Sequence, residues 1–281
     1  MIASLGLFGR WRWAAIAATA ATLAVLLALA PLAVASPEAQ RLDERLEPPS
    51  IGHPLGTDQL GRDLLSRVLH GARRSFVVGA AVAAIAGASG GAVGLLGGYT
   101  GGRFDLVTQR IVDALMALPL LVLALAIVAS LGQSTVAVVL SLAIAFAPLP
   151  ARVARAAALS LRGEGYVEAA VAIGASPTAI LIRHVTRNAA GPWLIVVSAQ
   201  VGAAILAEAS LSFLGLGGGR GASLGAMLAG EVQIYMHVAP WLAAFPGLAL
   251  ALVVLGANLL GDGLDSALRP AARRPAREQA I

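Results

Sequence analysis

Val167-Glu168-Ala169-Ala170-Val171-Ala172-Ile173-Gly174 sits in the longest interior break between very apolar runs. It holds small residues and one polar tip at helical spacing. Val167, Ala170, Val171 and Gly174 share one stripe, and Glu164 and Glu168 share another at i, i+4. The pattern predicts a helix from about Glu164 to Ile173. Gly174 is placed to end it, needing no Cβ in the left-handed conformation after a helix. Ser176 and Pro177 read as the N-cap and first residue of a second short helix. That helix carries Ile180, Leu181 and Val185 on one side, with Arg183 and Arg187 available to lipid phosphates. The expected unit is two short helices at an angle, lying along a membrane face. A membrane protein has little reason to keep a patterned helix outside the bilayer unless something docks there.

Composition sets the solvent. The chain has 281 residues, 58% of them hydrophobic and 12% charged, with a mean hydropathy of +0.82. Soluble domains average about 25% charged and about 45–50% apolar residues. This excess cannot be hidden in a water-soluble core, so lipid is the solvent. Cysteine is absent, which excludes disulfides, thiolate chemistry and cysteine-based metal sites. The formal net charge is +5, and all 20 basic side chains are arginine. A Walker A loop needs a lysine to reach nucleotide phosphates, and this chain has none.

Six stretches are long and apolar enough to span: Trp13–Ala35, Phe76–Leu96, Val107–Leu131, Thr135–Ala151, Trp193–Leu214 and Trp241–Leu260. About 20 helical residues cross a hydrocarbon layer of roughly 30 Å. Backbone groups in lipid must bond within their own segment, so these are helices. The expected fold class is an all-α membrane protein. Pro148 and Pro150 should kink or unwind the inner end of the fourth span. Ala33-Val34-Ala35 before Ser36 has the form of a signal-peptidase site. The apolar run before it exceeds a typical signal core of about 7–15 residues, so it is read as a retained anchor.

With the N-terminus inside, the inside segments hold 13 arginines and the outside segments 7. Arginine bias therefore places both termini inside. Six of the outside arginines fall in one loop, residues 36–75. In that loop Gly52-His53-Pro54-Leu55-Gly56-Thr57-Asp58 reads as turns. Leu60, Leu64, Leu65, Val68 and Leu69 then recur at helical spacing, with Thr57 or Asp58 as the cap. The expectation is an interfacial helix leading into the second span. A second outside loop, residues 217–239, should carry a short surface helix built on Met227, Leu228, Val232, Ile234 and Tyr235.

Gly90, Gly94 and Gly98, with Gly97 and Gly101, form small-xxx-small pairs that let helix backbones approach closely. Gly87-Ala88-Ser89-Gly90 also matches the GxSG pattern of rhomboid-type intramembrane serine proteases. That chemistry needs a histidine beside the serine, and His53, His70, His184 and His237 all fall outside the spans. Asp113, Glu208 and Asp262 are costly in or near lipid. Each is read either as a structural pair or helix cap, or as a contact for a transported solute. Asp113 has Arg110 available at i, i+3. A carboxylate relay would suit a proton-coupled secondary transporter, but such carriers show repeated halves with broken midplane helices, and no inverted repeat is visible.

Glu168-Ala169-Ala170, three residues, then Gly174 resembles the EAA motif of ABC importer permeases. Where that motif often ends in Leu and Pro, this chain has Thr186 and Arg187. Gly56-Thr57-Asp58-Gln59-Leu60-Gly61-Arg62-Asp63 resembles the segment before the second span in C-type permeases of dipeptide, oligopeptide and nickel importers. Residues 205–217 resemble that family's fifth span, and residues 258–264 its ending. The resemblance covers about residues 52–270. It implies a type I ABC importer permease fold (MetI-like). Residues 1–75 would form an anchor helix and external loop. Residues 76–265 would form a five-helix core with coupling helices at 162–187, and residues 266–281 a cytoplasmic tail. Docking to the ATPase would fall on Glu168, Ala169, Ala170 and Gly174. The implied partners are a B-type second permease, two cytoplasmic ATPases and an extracytoplasmic solute-binding protein, in a bacterial inner membrane, with no nucleic acid. ATP and magnesium would bind the ATPases, and this chain would hold no catalytic, cofactor or metal residues. The family's loop at 217–239 would face the binding protein or rest in the membrane interface.

Overall fold

The computed structural model describes residues 36–219, 221–229 and 231–268. The first expected span, Trp13–Ala35, and most of the tail fall outside the described residues. Eleven α-helices follow one another in the described part: α1 (Leu64–Thr100), α2 (Gly102–Met116), α3 (Leu120–Leu131), α4 (Thr135–Phe146), α5 (Pro148–Arg162), α6 (Gly165–Ala172), α7 (Pro177–Ile180), α8 (Arg187–Phe213), α9 (Leu224–Met227), α10 (Glu231–Tyr235) and α11 (Trp241–Leu268). No strand occurs among the described residues.

α1 is the central post. Its 37 residues give a rod of about 55 Å. The expected interfacial helix and second span are this one helix. Neither Thr57 nor Asp58 caps it. Asp63 does, its Oδ2 accepting from the Ser66 N–H at 2.8 Å. Asp58 folds the preceding loop instead. Its Oδ1 accepts from the Leu60 and Arg62 N–H groups, and its Oδ2 from Arg62 Nε at 2.6 Å.

Two glycine stripes run along α1. A Cβ at Gly90, Gly94 or Gly98 would overlap the carbonyls of Ala147, Ala151 and Arg155 in turn. Both series advance by four residues in the same direction, so α1 and α5 run side by side in parallel. A Cβ at Gly79, Gly87 or Gly91 would overlap Ile205, Val197 and Trp193. That series descends, so α8 runs antiparallel on the next face. Trp193 Nε1 donates to the Gly87 carbonyl at 3.0 Å across this contact. Lipid supplies no hydrophobic drive between helices, so close backbone approach must hold them.

Three helices are long and apolar enough to span singly: α1, the continuous run Pro177–Phe213, and α11. Two bent pairs supply the remaining candidates, α2 with α3 and α4 with α5. The expected span Val107–Leu131 is two helices, α2 and α3, that bend by 96° between them. Pro119 lacks an N–H for the Leu115 carbonyl and so breaks the helix. Asp105 and Asp113 of α2 reach arginines on α5. The α4–α5 pair bends by 41° at Pro148, as the prolines there require.

The second short helix is also corrected. Pro177–Ile180 does not stop but passes through a π-helical turn, Leu181–Thr186, directly into α8. Thr186 and Arg187 stand where a Leu-Pro ending would have broken the chain, and Thr186 Oγ1 donates back to the Leu181 carbonyl at 2.9 Å. The loop 217–239 holds two short helices rather than one. The first is not a surface element, since Leu224 and Gly225 are buried against α1 and α8.

His53 ties the first loop to the α1 cap. Its Nδ1 lies 3.0 Å from Asp63 Oδ1, and its Nε2 lies 3.3 Å from Glu44 Oε2. The hydrogen bond to Asp63 holds its pKa above the ordinary value, with the Glu44 charge adding to the effect. The raised folded pKa makes the contribution complete below the unfolded value of about 6.5 and lost as pH climbs through the folded value. The thermal midpoint of wild type should therefore exceed that of His53→Gln in acid, with the gap shrinking at alkaline pH. A gap that widens with pH contradicts this arrangement.

Gly94→Leu should separate α1 from α5 and lower the unfolding midpoint, at a cost of about 1–3 kcal/mol or more. Gly165→Ala, with nothing within 4 Å of an added Cβ, should leave the midpoint unchanged or raised. Equal tolerance of both substitutions in purified protein would rule out the carbonyl contact.

Candidate functional site

α6 stands at the end of the bundle where α1 and α5 finish. Val167 and Ala170 are its buried residues, packed with Leu95, Ala154, Ala158, Ile180, Val185 and Ala189. The helix is thus bolted to α1, α5 and α8 together. Its outer face presents Glu168, Ala169 and Ala172 to solvent. Of the four docking candidates, Glu168, Ala169 and Gly174 are exposed, while Ala170 points into the core. Val171, which shares a sequence stripe with Val167 and Ala170, is largely exposed.

Gly174 ends α6 as its position requires. Its φ is +81°, and nothing lies within 4 Å of an added Cβ. Its N–H bonds the Val171 carbonyl and the Ala175 N–H bonds the Ala170 carbonyl, a complete Schellman motif. Ser176 then caps α7 by accepting from the Ala179 N–H. The turn lifts Ile173 clear of the protein, leaving it 85% exposed. Sequence reading gave Ile173 no role. The signal was available, since an apolar residue immediately before a left-handed glycine has no core to enter. A cleft of about 530 Å³ beside α6 is lined by Tyr99, Thr100, Arg162, Val167, Glu168, Val171 and Pro177.

The three acidic candidates have separate settings. Asp113 does not pair with Arg110. Arg152 Nη2 donates to its Oδ1 at 2.6 Å, with both side chains about half exposed. Such an exposed pair orients α2 more than it stabilises the fold. A second bridge escaped sequence reading. Arg155 Nε and Nη2 donate to the two Asp105 oxygens at 2.6 and 2.7 Å. Its signal was Arg152 and Arg155 on one face of a helix directly after a span. Glu208 is 1% exposed. Ser75 donates to its Oε2 at 2.8 Å, and Ser212 and Ser223 donate to its Oε1 at 2.7 and 3.3 Å. This carboxylate joins α1, α8 and the start of α9. Asp262 lies on the exposed side of α11.

Ser89 Oγ donates to the Ile85 carbonyl at 2.7 Å. Among the described residues no three His, Asp or Glu side chains converge to hold a metal.

Residues 90–274 match the family of binding-protein-dependent transport system inner membrane components. The chain is 43% identical over 242 residues to a probable D,D-dipeptide transport system permease protein, DdpC, of Escherichia coli K12, covering 86% of this chain and 81% of that protein. It is 38% identical over 242 residues to the dipeptide transport system permease protein DppC of Alkalihalophilus pseudofirmus, covering 86% and 80%. It is 42% identical over 229 residues to the glutathione transport system permease protein GsiD of Pectobacterium atrosepticum, covering 81% and 76%. A chain of the MetNI methionine ABC transporter, solved in inward-facing conformations, superposes with a TM-score of 0.56 at 19% identity, covering 71% of this chain and 95% of that one. That likeness shows the MetI-like fold, and the bundle with its bolted outer helix is the form it takes here. The chain belongs to the family of binding-protein-dependent transport system inner membrane components.

Proposed function

We propose that the chain is the C-type membrane subunit of an ATP-driven importer for peptides or a related small solute. One observation carries the mechanism: α6 is anchored by Val167 and Ala170 yet presents Glu168, Ala169 and Ile173 outward. A helix held this way transmits a push from outside to α1, α5 and α8 at once. The small Ala169 and Ala172 admit a close partner surface, Ile173 supplies an apolar knob, and Glu168 meets a basic group. The partner is a cytoplasmic ATPase, one of two, which bind ATP and magnesium. A second, B-type permease stands beside this one, and both termini of this chain are cytoplasmic. ATP-driven closure of the ATPases rocks the permeases as rigid bodies between inward and outward states.

The opposite end serves delivery. The loop 36–63 is pinned to α11 by Trp241 Nε1 donating to the Thr57 carbonyl at 3.2 Å, and to α10 by Arg45 bonding Tyr235. A cleft of about 360 Å³ opens between this loop and α9–α10. The extracytoplasmic binding protein docks on this face. Peptide transport is the common thread in the names of the relatives, and it is the cargo expected here. No observation favours a proton-coupled carrier. Glu208 has serine partners and no second carboxylate in its cluster.

Co-purification tests the docking face. Wild type should bring down an ATPase. Glu168→Arg, Gly174→Trp and Ile173→Asp should each weaken that association at least about tenfold, or about 1.4 kcal/mol. Variants that keep both the ATPase and full ATP-dependent uptake would remove α6 as the docking element.

A further inference from the structure

α2 sorts its charges onto different faces. Asp105 and Asp113 reach Arg155 and Arg152 of α5. Arg103 and Arg110 are exposed, and neither has an ion pair among the described residues. They stand two helical turns apart, about 10 Å, on the side opposite Val112, the buried residue of this helix. Leu106 and Val107 lie between them, 61% and 54% exposed, and Phe104 and Ile111 are exposed along one flank.

Position decides what such a face meets. Arg74 marks one boundary on α1, where it donates to the Gly217 and Gly218 carbonyls of the loop. About 20 helical residues cross the hydrocarbon layer, so the opposite boundary falls near Gly94. A Cβ at Gly97 would meet Asp105 and lie close to Thr108, which places the crossing of α2 over α1 just past that boundary. α3 shares a core with α1 through Ala124 and Val128, and α2 meets α3 at 96°. α2 therefore runs across the bundle at the interface, at the end that carries α6.

Water suits the two arginines but not the exposed apolar side chains beside them. Hydrocarbon suits the apolar side chains but not two unpaired cations. A protein covering the face would have to supply acids. The headgroup layer satisfies both sets at once: arginine stems snorkel to phosphates while Leu106 and Val107 sit among acyl carbons. The planar guanidinium offers a phosphate two N–H donors together. We propose that Arg103 and Arg110 hold the headgroups of anionic phospholipids, such as phosphatidylglycerol, in the leaflet at the α6 end. In the importer reading above that leaflet is the cytoplasmic one, but the site does not depend on the cargo. Because α2 is bridged to α5, lipid held there ties the bundle to the interface beside its docking helix.

The experiment uses the full assembly in phosphatidylcholine nanodiscs, with bimane on Val107→Cys of this cysteine-free chain and partner subunits stripped of reactive cysteine. Brominated phosphatidylglycerol or brominated phosphatidylcholine is included at the same minor fraction. The anionic lipid should quench at least about threefold more strongly than the zwitterionic one. Added salt should lower that ratio. Arg103→Gln with Arg110→Gln should bring it to about one. Arg103→Lys with Arg110→Lys should keep it, as should Arg73→Gln at the far end of α1. Equal quenching by both lipids before any arginine is changed means ordinary acyl contact and overturns the site. Quenching by neither lipid means that protein covers the face, and overturns it as well. A ratio that survives the glutamine pair removes the arginines from the role. Loss of the partner subunits from that pair makes the face a subunit contact and also overturns the proposal.

Discussion

The absence of a Cβ on two faces of α1 governs the rest of the molecule. Helices in lipid gain little from burying apolar side chains against one another, so contact must come from packing and backbone approach. Gly90, Gly94 and Gly98 let the carbonyls of α5 lie against the α1 backbone, and Gly79, Gly87 and Gly91 admit the side chains of α8. α5 leads into α6, and α7 leads into α8. Both helices that touch α1 most closely therefore frame α6. The glycine stripes turn three separate helices into one body with α6 fixed at its end.

Polar groups then trim that body. The bidentate Arg155–Asp105 bridge and the Arg152–Asp113 bridge hold α2 across α5, which forces the sharp turn into α3. The Glu208 carboxylate, with hydroxyl donors from α1, α8 and the start of α9, closes the other end. The Arg155–Asp105 bridge and the Glu208 carboxylate each join more than one helix. The helices therefore cannot slide independently without stranding a charge in a low-dielectric interior. Gln200 departs from this pattern, with one amide end paired and the other buried without a partner, and it lies where two helices are already broken.

Much of this could be read from residues. The spans ending in α8 and α11 follow from apolar runs of sufficient length. The Gly174–Ser176–Pro177 turn follows from the φ that only glycine adopts freely and from capping chemistry. The glycine spacing of α1 announced close packing, though not which helices would approach. The bend within Val107–Leu131 was not legible because hydropathy outweighed Pro119 in the reading. The Asp113 partner was missed because a local Arg110 at i, i+3 competes, on sequence grounds, with a distant Arg152 that only the tertiary bend brings near. Ala170, read as a docking residue, turns inward because a helix of eight residues can present any face until its neighbours select one.

Rigid transmission from α6 into the spans is the central claim, and distances between paired spin labels test it directly. Labels at Gly165→Cys in α6 and Ala92→Cys in α1 report whether the two move together. In the assembled transporter, that distance should stay the same within about 2 Å between the nucleotide-free and ATP–vanadate-trapped states, while the distance from Gly165→Cys to the second permease changes. A shift between Gly165→Cys and Ala92→Cys on trapping would show that α6 moves against its own bundle, which contradicts the mechanism.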